Sequence, residues 1–314
     1  MGTLKARLNH IVKLSDDISD FRFEALHGRF EGMEAGAHID VHLADDLIRQ
    51  YSIWEWDTDG KWLSVAVKRE DNGRGGSLAM HKLEVGNELD IGGPRNHFQL
   101  QNISKPLTLV AGGIGATPIF AMAKFLKSKD IVFKLHYLVR DETMAAFHNA
   151  FLNLSLEENY NLHCDDKDGM FDIAGLIKNI PNGGDIYTCG PEPLLNAIID
   201  AGKDLNGGTV HFERFFASSD AKEGEKESFQ IEVKSTGEIY DVLPDQTILG
   251  VLKEHGIEVE FGCSEGLCGS CIVDVLEGDI DHRDEVLSPE EQDTNEFMCV
   301  CISRAKSEKL VLDL

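Results

Sequence analysis

The chain has 314 residues, enough for two or three domains that each bury a core. Its formal net charge of −25 excludes a surface built to track phosphates, so no nucleic-acid partner is expected. The opening MGTLKARLNHIVKLSDD lacks the apolar run of a secretory signal, Ala6 breaks the myristoylation pattern, and no stretch approaches a membrane span. A cytoplasmic protein without membrane attachment is the expectation.

From Leu4 to about Leu100, the short runs FRFEAL, HIDVHL, YSIWEW and WLSVAVK alternate in β fashion between turn signals, with Asp59 and Gly60 as a hairpin turn. This predicts an antiparallel β-barrel over residues 1–104. Arg49, Gln50, Tyr51 and Ser52 lie on one of its strands. An Arg-x-Tyr-Ser run there suits a flavin: Tyr51 can cover one ring face, Ser52 can bond near N5, and Arg49 can meet a phosphate. Alone, such a run is more often an ordinary strand with one exposed arginine. The second segment, VKREDNGRGGS, strengthens the case, because Arg74, Gly75, Gly76 and Ser77 offer a guanidinium, open amides and a hydroxyl to a phosphate.

From Pro106 the texture changes to strand, glycine turn and helix: PLTLVA, GGIGATP, IFAMAKFLKS, then the strand FKLHYLV and the helical run MAAFHNAFLNL. NLHCDD and DIYTCGP, leading into EPLLNAIIDAG, continue the alternation. A doubly wound α/β nucleotide domain is predicted over 105–217. Gly112, Gly113, Gly115, Thr117 and Pro118 occupy a strand-to-helix turn where a pyrophosphate can approach; a generic turn is the alternative. Cys189, Gly190 and Pro191 make a second turn at the same carboxyl edge, and Cys189 could equally be an inert strand-end thiol. Arg140 and Asp141 follow the second strand. An acidic residue there suits a ribose hydroxyl and favours NADH, while Arg140 argues the other way.

SSDAKEGEKES, residues 218–228, is small and charged and reads as a linker. Beyond it, over 229–314, FQIEVKST and EIYDVL form a predicted hairpin and TILGVLKEHG a helix ahead of a cysteine loop. Four residues separate Cys263 from Cys268, two separate Cys268 from Cys271, and twenty-nine separate Cys271 from Cys301. This is plant-type 2Fe-2S spacing: a rhomb needs two thiolates on each iron, so one tight loop wraps most of it and a distant segment closes the other side. Zinc is the alternative, but it favours paired Cys-x-x-Cys knuckles and only one pair exists here. Spacing tolerates either Cys299 or Cys301 as the fourth ligand.

These segments together resemble the phthalate dioxygenase reductase family, whose ending is similar to GDIDHRDEVLS and CVCISRAKSEKLVLDL, and the two glycine turns resemble the wider ferredoxin-NADP reductase superfamily. The resemblance implies Cys301, two before Ser303, as the last ligand in a C-terminal β-grasp ferredoxin domain. It implies FMN on the barrel, with Ala66, Val67 and Lys68 against the ring, and no adenine element of the FAD-using kind is evident. It places Thr117 near the nicotinamide and Cys189 near the hydride path, so Ser52, Thr117 and Cys189 are the expected catalytic positions. Phe215, in HFERFFAS, is either packed by the flavin or a core aromatic. NADH delivers two electrons together and a 2Fe-2S cluster accepts one, so the flavin between them splits the pair. The implied function is an NADH-dependent reductase serving a Rieske-type non-haem iron oxygenase, a demethylase or dioxygenase. A redox sensor or electron carrier without nicotinamide turnover is the alternative.

Overall fold

In the computed structural model, which describes residues 2–44, 47–216 and 227–314, apolar residues at alternate positions of the first six strands turn inward and close a barrel. The strands are β1 (Leu4–Lys13), β2 (Ile18–Ala25), β3 (His38–Ala44), β4 (Leu47–Trp56), β5 (Trp62–Lys68) and β6 (Glu88–Arg95), in the order β1-β2-β5-β4-β3-β6. Phe21, Phe23, Ile39, Ile53, Leu63 and Val65 fill it and are inaccessible to solvent. A short helix, α1 (Gly76–Met80), plugs one end with Met80. Gly60 turns the β4–β5 hairpin at φ 73°, and a Cβ there would lie 2.4 Å from the Phe30 carbonyl oxygen. Glycine meets both demands.

A parallel sheet follows in the order β11-β10-β7-β8-β9. Its elements are β7 (Leu107–Gly112), α2 (Ala116–Ser128), β8 (Phe133–Val139), α3 (His148–Leu152), β9 (Tyr160–Cys164), α4 (Asp165–Asp168), α5 (Ile173–Lys178), β10 (Asp185–Cys189), α6 (Glu192–Gly202) and β11 (Val210–Glu213). Leu176, Ile177 and Ile198 of α5 and α6 pack on Val110, Leu138 and Ile186 of the sheet. The run MAAFHNAFLNL yields only the five residues of α3. Asp141 caps a single 3-10 turn by accepting from the Thr143 amide, and Ala145, with ψ 57°, leaves helical geometry before α3 can begin.

Barrel and sheet belong to one compact unit, Met1–Arg214. The segment that joins them is tied down by Asp185, 1% exposed, whose carboxylate accepts from Lys105 Nζ at 2.9 and 3.0 Å and from the Thr209 amide at 2.9 Å. Nearby, the Gln101 amide donates to the Tyr187 hydroxyl at 2.9 Å.

The second unit, Phe215–Leu314, contains β12 (Phe229–Val233), β13 (Glu238–Val242), α7 (Ile248–Glu254), β14 (Ile272–Glu277), β15 (Ile280–Asp281), α8 (Pro289–Thr294), β16 (Phe297–Cys299), β17 (Arg304–Ala305) and β18 (Lys309–Leu312). A five-stranded sheet, β13-β12-β18-β14-β16, packs under α7, with β12 parallel to β18 and antiparallel to β13. The expected linker lies, apart from Glu227 and Ser228, outside the described residues. Among the described residues no helix is long and apolar enough to cross a membrane.

The Lys105–Asp185 pair yields a test of the first unit. Lys105→Met leaves a buried carboxylate without its cation, so the unfolding free energy measured in urea should fall by about 3 kcal/mol.

Candidate functional site

Arg49, Gln50, Tyr51 and Ser52 lie on β4, and Ala66, Val67 and Lys68 lie on β5, its antiparallel neighbour. The fold brings the first run against the second phosphate segment. Arg49 Nη2 donates to the Arg74 carbonyl at 3.0 Å, and a Cβ on Gly76 would lie 2.4 Å from Arg49 Cγ. Gly76 is thus a glycine because the arginine stem crosses over it. Gly75 takes φ 84° at the start of α1, with open space where a Cβ would be. Ser77 Oγ accepts from the Glu70 amide at 3.0 Å, fixing the loop VKREDNGRGGS onto α1. Gln50 is different: its amide donates to the Asp40 carboxylate at 2.5 Å, so it serves the β3–β4 face. Tyr51 packs partly against the barrel core, and burial pushes its phenol up.

Ser52 points outward, and its hydroxyl donates to Glu213 Oε2 at 3.2 Å, at the end of β11. Glu213 is paired in the parallel ladder with Cys189 of β10. The Cys189 thiol is fully buried, and that burial, reinforced by Glu213, holds its pKa well above the usual thiol range. A protonated, inaccessible thiol is not a nucleophile. Burial pushes the Glu213 carboxyl up to about 8, against the opposing Ser52 hydrogen bond. Glu213 is absent from the expectations above. Its proximity to Ser52 and Cys189 depends on strand register and on domain docking, and HFERFF alone reveals neither.

The two glycine turns pack against each other. A Cβ on Gly115 would lie 2.2 Å from the Cys189 carbonyl oxygen, and one on Gly190 would lie 2.9 Å from Gly112 Cα. These glycines are required by turn-to-turn contact. Gly113 is the exception: it takes φ 53° and faces open space, so its backbone is accessible to a ligand. Thr117 is 2% exposed and its hydroxyl donates to the Ile114 carbonyl at 3.1 Å, closing the turn; Pro118 follows in the first turn of α2. Pro191 caps α6. Arg140 is exposed beyond β8, and its carbonyl accepts from the Asp166 amide at 3.0 Å. Asp141 is occupied as a cap, accepting from the Thr143 amide and hydroxyl. Phe215 is half-buried two residues beyond β11.

In the second unit, none of the cysteines is in a disulfide, and Cys263, Cys268, Cys271, Cys299 and Cys301 are all buried. Backbone amides aim at sulfur: Glu265 and Leu267 donate to Cys263 Sγ at 3.3 and 3.4 Å, and Cys263 donates to Cys268 Sγ at 3.3 Å. Gly266, at φ 72°, lets the loop pass within 2.9 Å of Asp284 Cα, measured from its would-be Cβ. The sulfurs associate in groups. Cys263 donates to Cys268, drawing it down to about 6, while Cys299 and Cys301 draw Cys271 down to about 3. Hydrogen bonding and burial push Cys263, Cys299 and Cys301 up. Among the described residues no three ligand-type side chains converge as on a single ion. Buried sulfur pairs lined by amides fit two thiolates on each of two irons.

A family model described as a 2Fe-2S iron-sulfur cluster binding domain matches residues 231–306, and one described as an oxidoreductase FAD-binding domain matches residues 5–100. The phthalate 4,5-dioxygenase oxygenase reductase subunit of Pseudomonas putida is 35% identical over 301 residues, covering 94% of this chain and 92% of that protein. The vanillate O-demethylase oxidoreductase of Pseudomonas sp. (strain HR199 / DSM 7063) is 36% identical, covering 96% of each. A solved phthalate dioxygenase reductase superposes with a TM-score of 0.74 at 33% identity, covering 100% of this chain and 98% of that one. An intact type IV self-sufficient cytochrome P450 monooxygenase superposes at 0.89 with 34% identity, and there the chain spans 41% of the longer protein.

The Glu213 carboxyl gives a pH signature. Its folded pKa lies above the ordinary value of 4.5, so the stability it contributes is complete below about 4.5 and is lost as pH rises through about 8. Glu213→Gln removes the titrating group. Melting temperature should fall more steeply from pH 5 to pH 9 in the wild type than in the variant, by on the order of 5 °C.

Proposed function

Because this chain belongs to the phthalate dioxygenase reductase family, a family of flavin- and 2Fe-2S-containing oxidoreductases that act as reductase components of oxygenase systems, we propose that it carries electrons from NADH through FMN to a 2Fe-2S centre and on to a Rieske-type oxygenase. The observation that carries this reading is the meeting, in one unit, of the β4 flavin run with the two glycine turns, through Ser52 and Glu213. The bound flavin supplies the exchange between a two-electron donor and a one-electron acceptor.

The residues divide that work. Arg49 and the Arg74–Ser77 turn form one compact site for a single phosphate, which supports FMN. Ser52 and the protonated Glu213 put a chain of two proton-bearing groups beside the flavin run. Gly113 opens its backbone to the pyrophosphate of NADH, while Gly112, Gly115 and Gly190 hold the two turns together. At the adjacent sheet edge Asp141, Asp165, Asp166 and Asp168 outnumber Arg140 and Lys167, the latter paired with Glu142, and this acidic balance opposes a 2′-phosphate and supports NADH over NADPH. Thr117, whose hydroxyl closes the turn on the Ile114 carbonyl, orients it beneath the nicotinamide.

Cys263, Cys268, Cys271 and Cys301 are the proposed ligands. Cys301 lies within electrostatic reach of both Cys271 and Cys263 and accepts from the Gly266 amide, whereas Cys299 faces Cys271 and the Asp284 carboxylate and sits in the β14–β16 ladder opposite Ile272. An oxygenase acceptor of the haem type is the second reading, favoured by the likeness to the self-sufficient P450.

Chromatography of the released flavin should give FMN, and FAD would overturn that part. Under anaerobic mixing with NADH, flavin absorbance should bleach before that of the cluster; iron without flavin in the purified protein would sink the relay. Cys301→Ser should abolish the native cluster spectrum while Cys299→Ser keeps it, and the reverse result transfers the ligand to Cys299.

A further inference from the structure

Two residues beyond Ser52, β4 turns Trp54 to the same outward side of the barrel. Its indole meets the ring of Phe120 on α2 with centroids 5.5 Å apart at 64°, and that of Phe147, just before α3, at 5.4 Å and 87°. Both are edge-to-face contacts, the favoured geometry for aromatic pairs. Phe120 lies three residues beyond Thr117 in the helix that the Gly112–Pro118 turn opens. Behind it Phe151 is fully buried and in ring contact with Phe120 and Tyr137 at 5.5 and 5.3 Å.

The indole cannot rotate freely in this wedge. Its Nε1–H donates to the Asp20 carboxylate at 2.8 Å, and Asp20 is 3% exposed on β2. Between β4 and α2 the ion pair of Lys124 Nζ with Glu55, at 2.9 Å, is softer, because the lysine is half exposed and such a pair contributes little rigidity. The separation between the strand that bears Ser52 and the helix that bears the glycine turn is therefore set by the aromatic wedge.

We propose that Trp54 is a positioning residue for electron transfer from NADH to the flavin, holding the Gly112–Pro118 turn at its working distance from β4. The inference rests on the proposed flavin and nicotinamide sites. Its importance follows from the steepness of such chemistry in distance, where a displacement near 1 Å costs on the order of 100-fold. Trp54 acts through α2 and not by contact with either ligand.

Trp54→Ala, Trp54→Phe and Phe120→Leu, purified with their flavin and iron, test it. Amide hydrogen exchange over residues 112–120 should accelerate in Trp54→Ala and Phe120→Leu, a readout that needs no turnover. Flavin reduction by NADH should slow about 10–100-fold in Trp54→Ala. The primary isotope effect with C4-deuterated NADH should become temperature-dependent. Trp54→Phe, which keeps a ring in the wedge, should recover most of the rate. Wild-type exchange over 112–120 with an unchanged isotope effect would overturn the inference, even if the variant is less stable. Should the wild type itself not be reduced by NADH, the site reading fails instead, and exchange still decides whether Trp54 fixes the turn. If Trp54→Ala does not fold, Phe120→Leu loosens the same wedge from the helix side and must give the same two signatures.

Discussion

A barrel strand has two faces, and β4 uses both. Ile53 goes inward among the core residues, while Ser52 and Trp54 go outward, where an isolated barrel would leave them in water. Here they meet Glu213 of β11 and the Phe120–Phe147 pair. One strand therefore carries the flavin run and also the contacts that hold the nucleotide domain. A shift of one residue in the β4 register would send Ser52 and Trp54 into the core and sever both roles together. The barrel core around Ile53, Leu63 and Val65 is what prevents that shift, so packing inside the barrel sets geometry outside it.

The sheet edge that faces this strand is built by close approach of backbone to backbone. Gly112 and Gly115 meet Gly190 and the Cys189 carbonyl at distances that no Cβ could share. The first turn is thereby registered on the second, and through β10 on Glu213. Thr117 adds its hydroxyl to the Ile114 carbonyl, so the turn is closed from both sides, and of its three glycines only Gly113 faces open space. A mobile glycine loop would bind a pyrophosphate at the cost of ordering it. This one is ordered in advance.

Much of this was legible in the residues. Alternation in FRFEAL and WLSVAVK, the strand-turn-helix texture after Pro106, and the cysteine spacing each follow from short-range rules, and the barrel, parallel sheet and cysteine loop correspond to them. What stayed hidden depends on long-range register. Glu213 reaches Ser52 across 161 positions, and nothing within HFERFF distinguishes it from a solvated glutamate. Trp54 reads as a strand aromatic until α2 is docked on it. Gly112, Gly115 and Gly190 pack turn on turn, and periodicity cannot tell a glycine that admits a ligand from one that admits another turn. MAAFHNAFLNL carries helical periodicity that Asp141 and the conformation of Ala145 interrupt.

The second unit follows a different logic. Cys271, Cys299 and Cys301 sit in the same core as Leu249, Val251 and Met298, and Cys263 and Cys268 are buried in the loop that precedes Cys271, where an unpaired thiolate is costly. Protons shared between neighbouring thiols, with amides directed at Cys263 and Cys268, meet part of that cost, and iron in place of the protons meets it more fully. Around this core, residues 227–314 hold 21 of the 55 acidic residues and only six of the 30 lysines and arginines. Self-repulsion of that kind does nothing for the fold. It raises the encounter rate with a basic surface and loses force within a Debye length of about 10 Å at 0.1 M salt. Acidic charge is thus denser on the second unit, while the two glycine turns and the β4–α2 contact of the first unit are held by backbone and aromatic contacts that salt does not screen.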